Sequence, residues 1–381
     1  MKIFSYLLKE MPSKKSQFQK AISKGFTILE LLVAVSVTAL LAAMLLNITS
    51  QVVSTQTEAS GDLETNQIAQ FVLDRVQEDL QCALSRNDGN VWMAAKILND
   101  EANSGQWKVA KFDTNKKPVE ESKRLFKEDW PTASQDPLME ANGQGSLLES
   151  RFGVAGTWLR FFTQSSELDP SIKNNGGPRA VSYQIIRFGL TASPTSRARY
   201  QLFRADVTTE NTFKAGYNLH PDDGGYNLSG SNGPRESQNI LNPIFQASNG
   251  ESPTGFSLAS NIIDFGIRAY IIDKNSKGTG FLKQIFPRLD LTNHDYEYFA
   301  TSHPDINYQA DPNQKFLNAF PEVVDVMIRI LTTEGESAIS ALEEGLTPVP
   351  AGNNPGEYWW EIAEKYSEVY VRRIKVFSSS I

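Results

Sequence analysis

Three histidines, His220, His294 and His303, are the side chains best suited to proton transfer or metal ligation near neutral pH, and all stand in polar stretches without helical spacing. No H-E-x-x-H pair, G-x-S-x-G elbow, P-loop or G-x-G-x-x-G turn occurs. Zinc hydrolysis, acyl transfer, nucleotide hydrolysis and dinucleotide binding therefore lack support. The single cysteine, Cys82, permits neither an intramolecular disulfide nor a Cys-based metal site. Oxygen ligands cluster at Asp222-Asp223-Gly224-Gly225 and at Asp305 with Asp311, but EF-hand spacing is absent and Asp-Gly turn chemistry explains the first group equally well. No enzyme activity, cofactor or metal is expected. The side chain whose placement demands an explanation is Glu30, the only charge in the run Phe26–Leu46 (FTILELLVAVSVTALLAAMLL). An ionisable group inside an apolar helix costs about 2.5–3.5 kcal/mol on insertion scales, so Glu30 needs a partner.

The elements around Glu30 read as a membrane anchor. As a helix, these 21 residues would rise about 32 Å at about 1.5 Å per residue, close to a hydrocarbon core of about 30 Å. Leu and Ala dominate, and neither Gly nor Pro interrupts. Residues 1–25 carry six lysines and one acid, a net +5, whereas the rest of the chain holds 31 basic and 43 acidic side chains, a net −12. The positive-inside rule then predicts a cytoplasmic N-terminus, with everything after about residue 50 across the membrane. A cleaved secretory signal fits less well, because the apolar run exceeds the usual ~7–15 residues and no Ala-x-Ala-like site ends it. A pI near 5.3 argues against nucleic acid as a partner. With 21 % charged residues, the chain as a whole is neither a polytopic membrane protein nor globally disordered.

The stretch Lys24-Gly25-Phe26-Thr27-Ile28-Leu29-Glu30-Leu31-Leu32-Val33 resembles the processing site of type IV pilin-like proteins. Those have a basic leader ending in Gly, then Phe, then Glu at the fifth mature position, then an apolar helix. The resemblance implies that prepilin peptidase cuts between Gly25 and Phe26 on the cytoplasmic side and methylates the new amine of Phe26. It also implies a partner for Glu30. In a staggered filament the Phe26 amine of a neighbouring subunit can approach the Glu30 carboxylate. At low dielectric that pair is attractive and an unpaired carboxylate is penalised, which biases the register. Gly25 and Phe26 are thus the expected processing residues and Glu30 the expected assembly residue. The implied partners are other pseudopilins or pilins, prepilin peptidase and the inner membrane.

Beyond the anchor, Ile68, Val72, Val76, Leu80 and Ala83 fall on one helical face with Leu73 beside them, while Asp74, Gln77, Glu78 and Gln81 lie mostly opposite. This predicts an amphipathic continuation of the helix from Phe26 to about Leu84, with a flexible point at Gly61. Strands are expected at Thr157–Gln164, Ala180–Phe188, Ala198–Val207, Ile263–Ile272, Val323–Leu331 and Val369–Phe377, each rich in β-branched or aromatic residues. The connections carry no regular amphipathic helices, so the pairing should be antiparallel. The expected class is α+β: a long N-terminal helix, half transmembrane and half amphipathic, packed on an antiparallel β-sheet with long polar loop insertions. Residues 1–25 would be the leader, 26–48 the transmembrane helix, 49–86 its amphipathic continuation and 87–381 a periplasmic or extracellular α+β domain.

The order of these segments also resembles the J-type minor pseudopilins of type II secretion systems, through LDRVQEDLQ, the pair VSYQI and YQLFRADV, the segment at Ile262–Phe265, and the terminal pair PEVVDVMIRI and VYVRRIKVF. A further resemblance is to the Verru_Chthon cassette protein C family. Residues 208–256 and 273–320 are polar stretches, rich in Asn, Gly, Ser, Pro and Asp. Tyr358, Trp359 and Trp360 are either core aromatics or a contact patch. The resulting expectation is a minor filament subunit, in a type II secretion pseudopilus or a type IV pilus-like filament, at or near the tip. The alternative is a filament-displayed adhesin or substrate receptor using the two polar stretches.

Overall fold

The computed structural model describes residues 27–97, 156–164, 177–189, 198–220, 257–274, 276–287, 297–303, 316–353, 355–377 and 379–380, together with 147, 151, 152, 223, 225, 226 and 241. By its internal contacts the chain divides into two units, Met1–Glu58 and Ala59–Ile381, and helix α1 (Ile28–Gln81) contributes to both. In the first unit α1 is exposed on every side: Leu32, Val33, Leu40, Met44 and Leu45 all show more than half their surface. Several of its hydroxyls fold back onto the helix, Ser36 to Val33 O, Thr38 to Val35 O and Thr49 to Leu45 O at 2.8–2.9 Å. These donors are thus satisfied without water, as an apolar medium requires. The segment has the length and hydropathy to cross a membrane.

In the second unit α1 is amphipathic. Thr65, Ala69, Val72, Leu73, Val76, Asp79 and Leu80 are buried at helical spacing. Burial of each large apolar member stabilises by about 1.5–3 kcal/mol. Ile68 is half-buried and Asp74 exposed, as the periodicity predicts. The helix ends at Gln81, three residues short of the expected end, because β1 (Leu84–Ser85) begins there and Ala83 bridges to Thr163. Gly61 is helical and unbroken; a Cβ there would meet only Thr332, at 3.8 Å.

The class is α+β, with the β portion divided into two antiparallel sheets and a two-residue parallel pair. The larger sheet runs β6 (Ser257–Ser260), β5 (Ala198–Asp206), β4 (Pro178–Gly189), β3 (Thr157–Gln164), β2 (Met93–Ile97), β9 (Glu297–Ala300). The smaller runs β11 (Ser367–Lys375), β10 (Val323–Leu331), β7 (Ile262–Lys274), β8 (Gly280–Phe286). The parallel pair joins β1 to β12 (Ser379–Ser380). Among the described residues, three shorter helices follow α1: α2 (Thr209–Ala215), α3 (Thr333–Glu343) and α4 (Pro355–Lys365). Strand β7 lies against β3, β4 and β5, and Tyr183 stacks on Phe265 at 6.2 Å between ring centroids, so the main core sits between the two sheets.

The alternation along β10 suggests one wet face, yet all nine of its residues are buried. The reason is a roof over the second face. Residues Asp264, Gly266 and Arg268 of β7 stand beside Arg329, Met327 and Asp325 of β10. The amide of Phe152 donates to Asp264 at 2.9 Å, and its ring occupies the space above Gly266, where a Cβ would fall 2.0 Å from a ring carbon. Charges on this face alternate in register: buried Asp325 lies between buried Arg268 and exposed Arg373, which holds it with two bonds of 2.7 Å. Opposite charges placed directly across strands stabilise a sheet and, buried, fix its register.

Candidate assembly site

Glu30 sits in the first turn of α1. The Leu31 amide donates to Thr27 O at 3.1 Å, which makes Thr27 the N-cap. The Thr27 amide and hydroxyl both reach Glu30 Oε2, at 2.9 and 3.1 Å, and the Glu30 amide donates to Thr27 Oγ1 at 3.2 Å. This reciprocal pair is a capping box, and an acid in the first turn also faces the positive end of the helix dipole. The carboxylate that is costly in an apolar helix thus has a local partner within its own chain. Thr27 has no role in the sequence reading above, although the Thr-x-x-Glu spacing signals one. Gly25 and Phe26, the expected processing residues, lie outside the described residues.

A second polar cluster secures the other end of α1. Asp79, within the segment LDRVQEDLQ, points inward and is buried. It accepts the Tyr183 hydroxyl and two bonds from Arg204, at 2.7 and 3.0 Å. Its backbone oxygen receives the Thr163 hydroxyl at 2.8 Å. Asp206 completes the group by bonding Arg204 at 2.9 Å and Arg179 at 3.2 Å. Burial, and then the Asp79 charge, hold the Tyr183 phenol well above its usual range. Burial, the largest single influence, would lower Arg204, but its bonds to Asp79 together with the charges of Asp79, Tyr183 and Asp206 outweigh it, and the guanidinium is held more firmly charged. Farther along, Thr65 meets Tyr370 at 3.0 Å and Glu368 at 3.3 Å, and Asp74 pairs with Arg372. The signal for Asp79 was its position between Val76 and Leu80 on the apolar stripe. A polar residue on a buried stripe needs partners, and sequence does not name them.

The other candidate groups are structural. Trp359 and Trp360 are fully buried, in α4, and Trp359 donates to Glu343 at 3.1 Å; they are core, not a contact patch. Glu343 also takes the Tyr200 hydroxyl at 2.5 Å and pairs with Arg187 at 2.7 Å. The cavity beside it, lined by Arg199, Asn261, Glu336 and Ser340 among others, holds about 10 Å³, room for one water. Asp223 is engaged in turn bonds, accepting from Gly225 N at 3.0 Å and from Asn218 at 2.9 Å. Asp222, His294, Asp305 and Asp311 lie outside the described residues. His220 lies 5.1 Å from the Phe299 ring, between centroids. Among the described residues, no group of three or more His, Cys, Asp or Glu side chains could hold a metal ion.

A family model for the prokaryotic N-terminal methylation motif matches residues 20–46. No curated protein and no solved structure matches the chain. The matched span covers Gly25, Phe26, the Thr27–Glu30 capping box and the exposed apolar part of α1, features that suit a single-pass inner-membrane protein processed by prepilin peptidase and assembled with other pilins. Residues 20–46 are a prepilin-type N-terminal motif, consistent with a type IV pilin-like protein.

Proposed function

We propose that the chain is a non-enzymatic minor subunit of a type II secretion pseudopilus or a type IV pilus-like filament. Its leader starts in the cytoplasm and is removed between Gly25 and Phe26, and its second unit lies across the membrane in the periplasm or in the filament. The observation that carries this reading is the prepilin motif at residues 20–46, set on an apolar helix whose surface is exposed all round. Such a helix needs lipid before assembly and other helices after it. The resemblance of the strand order to J-type minor pseudopilins favours the secretion pseudopilus. The bulk of the second unit favours a place at or near the tip, where fewer neighbours surround it.

Glu30 has two tasks in this reading. Within one chain it closes the capping box; between chains its charge attracts the Phe26 amine of a neighbour. The variant Glu30→Gln separates the tasks, because glutamine can also close a capping box but carries no charge. Both Glu30→Gln and Glu30→Ala are expected to insert and to be cleaved normally, and to lose about tenfold or more in co-purification with filament subunits. Unchanged incorporation of Glu30→Gln would show that the carboxylate charge plays no part in assembly.

A further inference from the structure

Asn261 is the residue on which the chain changes sheets, between β6 of the larger sheet and β7 of the smaller. Its φ is 64°, in the left-handed region that asparagine tolerates better than most side chains. Its backbone stitches the crossing on both sides. The amide donates to Tyr200 O of β5 at 2.7 Å, and the carbonyl accepts from Leu331 N of β10 at 2.8 Å. Glycine would supply the same backbone at lower cost, so the side chain calls for its own explanation.

That side chain lines the cavity of about 10 Å³ bounded by β5, the end of β10 and α3. Asn261 Oδ1 is buried and has no hydrogen-bond partner among the described residues. Arg199, on the same cavity, has a buried Nε that lies 3.3 Å from Glu336 Oε1, an ion pair without the geometry of a hydrogen bond. One small space thus carries a carbonyl oxygen that lacks a donor and an N–H that lacks an acceptor. Left dry, each forfeits the bond it makes with water in the unfolded chain.

We propose that this cavity is the binding site of a single, permanently held water molecule. The water accepts from Arg199 Nε–H, donates one proton to Asn261 Oδ1 and gives the other to the Ser340–Glu336 pair, whose own contact is long, at 3.5 Å. Three bonds are the usual number for a buried water, and the volume admits one molecule. The charges favour a neutral guest, because Glu336 already faces Arg199 and Glu343 faces Arg187 at 2.7 Å. An apolar filling of the same size would leave both orphaned groups unpaired. The water ties the crossing between the sheets to α3, and this explains an asparagine at the corner. It does so whether or not the chain enters a filament.

The test uses the full-length chain in detergent. In a crystal structure at about 1.5 Å, one ordered water is expected within about 2.7–3.2 Å of both Arg199 Nε and Asn261 Oδ1. In solution, oxygen-17 relaxation dispersion counts the waters held for longer than the protein takes to tumble. Ser340→Thr sets an extra methyl at the cavity and should lower that count by about one relative to wild type, whereas Ser337→Thr, exposed on the same helix, should leave it unchanged. An empty cavity in the crystal structure, or Asn261 Oδ1 and Arg199 Nε bonded to protein groups instead, would overturn the proposal. Equal counts in all three chains would do the same. If Ser340→Thr does not fold, the wild-type crystal structure decides alone.

Discussion

Residues 28–53 of α1 expose Leu32, Leu40 and Met44 by more than half, whereas residues 65–80 of the same helix bury Val72, Val76 and Leu80 completely. Apolar content differs, with one charge, Glu30, in the first stretch and four, Asp74, Arg75, Glu78 and Asp79, in the second, but it is not the whole difference. Polar groups separate them. In the first stretch, Ser36, Thr38 and Thr49 return their hydroxyls to carbonyls of their own helix. In the second, Thr65 and Asp79 spend theirs on strands β3, β4, β5 and β11. A helix that satisfies its own polar groups can move between lipid and protein, while one whose polar groups belong to strands is committed to a single domain.

The largest expected effect therefore lies in the committed stretch. Asp79→Ala would leave Arg204 and the Tyr183 hydroxyl without their carboxylate in a buried site, at a cost of about 3–5 kcal/mol. Denaturant unfolding of the full chain in detergent, followed by tryptophan fluorescence, would show it; every tryptophan is in the second unit. A variant as stable as wild type would mean that Asp79 does not hold the helix.

Paired truncations sharpen the contrast. Leu80→Ala removes a fully buried side chain and should cost about 2–5 kcal/mol, whereas Leu40→Ala, at an exposed position, should change the same transition by less than about 0.5 kcal/mol. Equal effects would erase the distinction between the two stretches.

Alkaline pH should act on the second unit and leave residues 27–58, which contain no tyrosine, unaffected. Burial and Asp79 hold Tyr183 high, and burial with Glu368 pushes Tyr370 up to about 12. An unfolded tyrosine ionises near pH ~10. The stabilisation is thus fully present below that pH and is lost as pH rises from 10 through 12, where the unfolded chain releases its phenolic protons first. Unfolding midpoints should be flat from pH 7 to about 9 and fall by pH 11, with phenolate absorbance lagging behind that of the denatured chain. No fall by pH 11 would contradict the burial of Tyr183.

Much of the fold is legible in the sequence where local composition and tertiary role agree. Thr157–Gln164 and Val323–Leu331 are strands with the expected bounds, and four more expected strands overlap β4, β5, β7 and β11 closely. They are dense in Val, Ile, Tyr and Phe, so propensity and burial point the same way. The strands that escape are those whose neighbours make them strands: β2, Met-Ala-Ala-Lys-Ile, is paired on both sides, and β8 and β9 lie in a stretch that reads as polar loop. Helix α3 escapes although Thr332 caps it, accepting from Gly335 at 3.2 Å, because the surrounding pattern is β. At the site, Glu30 stands out because a charge in an apolar run is conspicuous. Asp79 stands out only by its place between Val76 and Leu80 on the apolar stripe, and its partner Arg204, 125 residues away, is not named there.

Mass spectrometry of the mature N-terminus tests the central claim most directly. In cells with active prepilin peptidase, the expected first residue is N-methylated Phe26, with residues 1–25 removed. A chain that retains Met1 and the leader in such cells would contradict the prepilin reading and the assembly role of Glu30 with it.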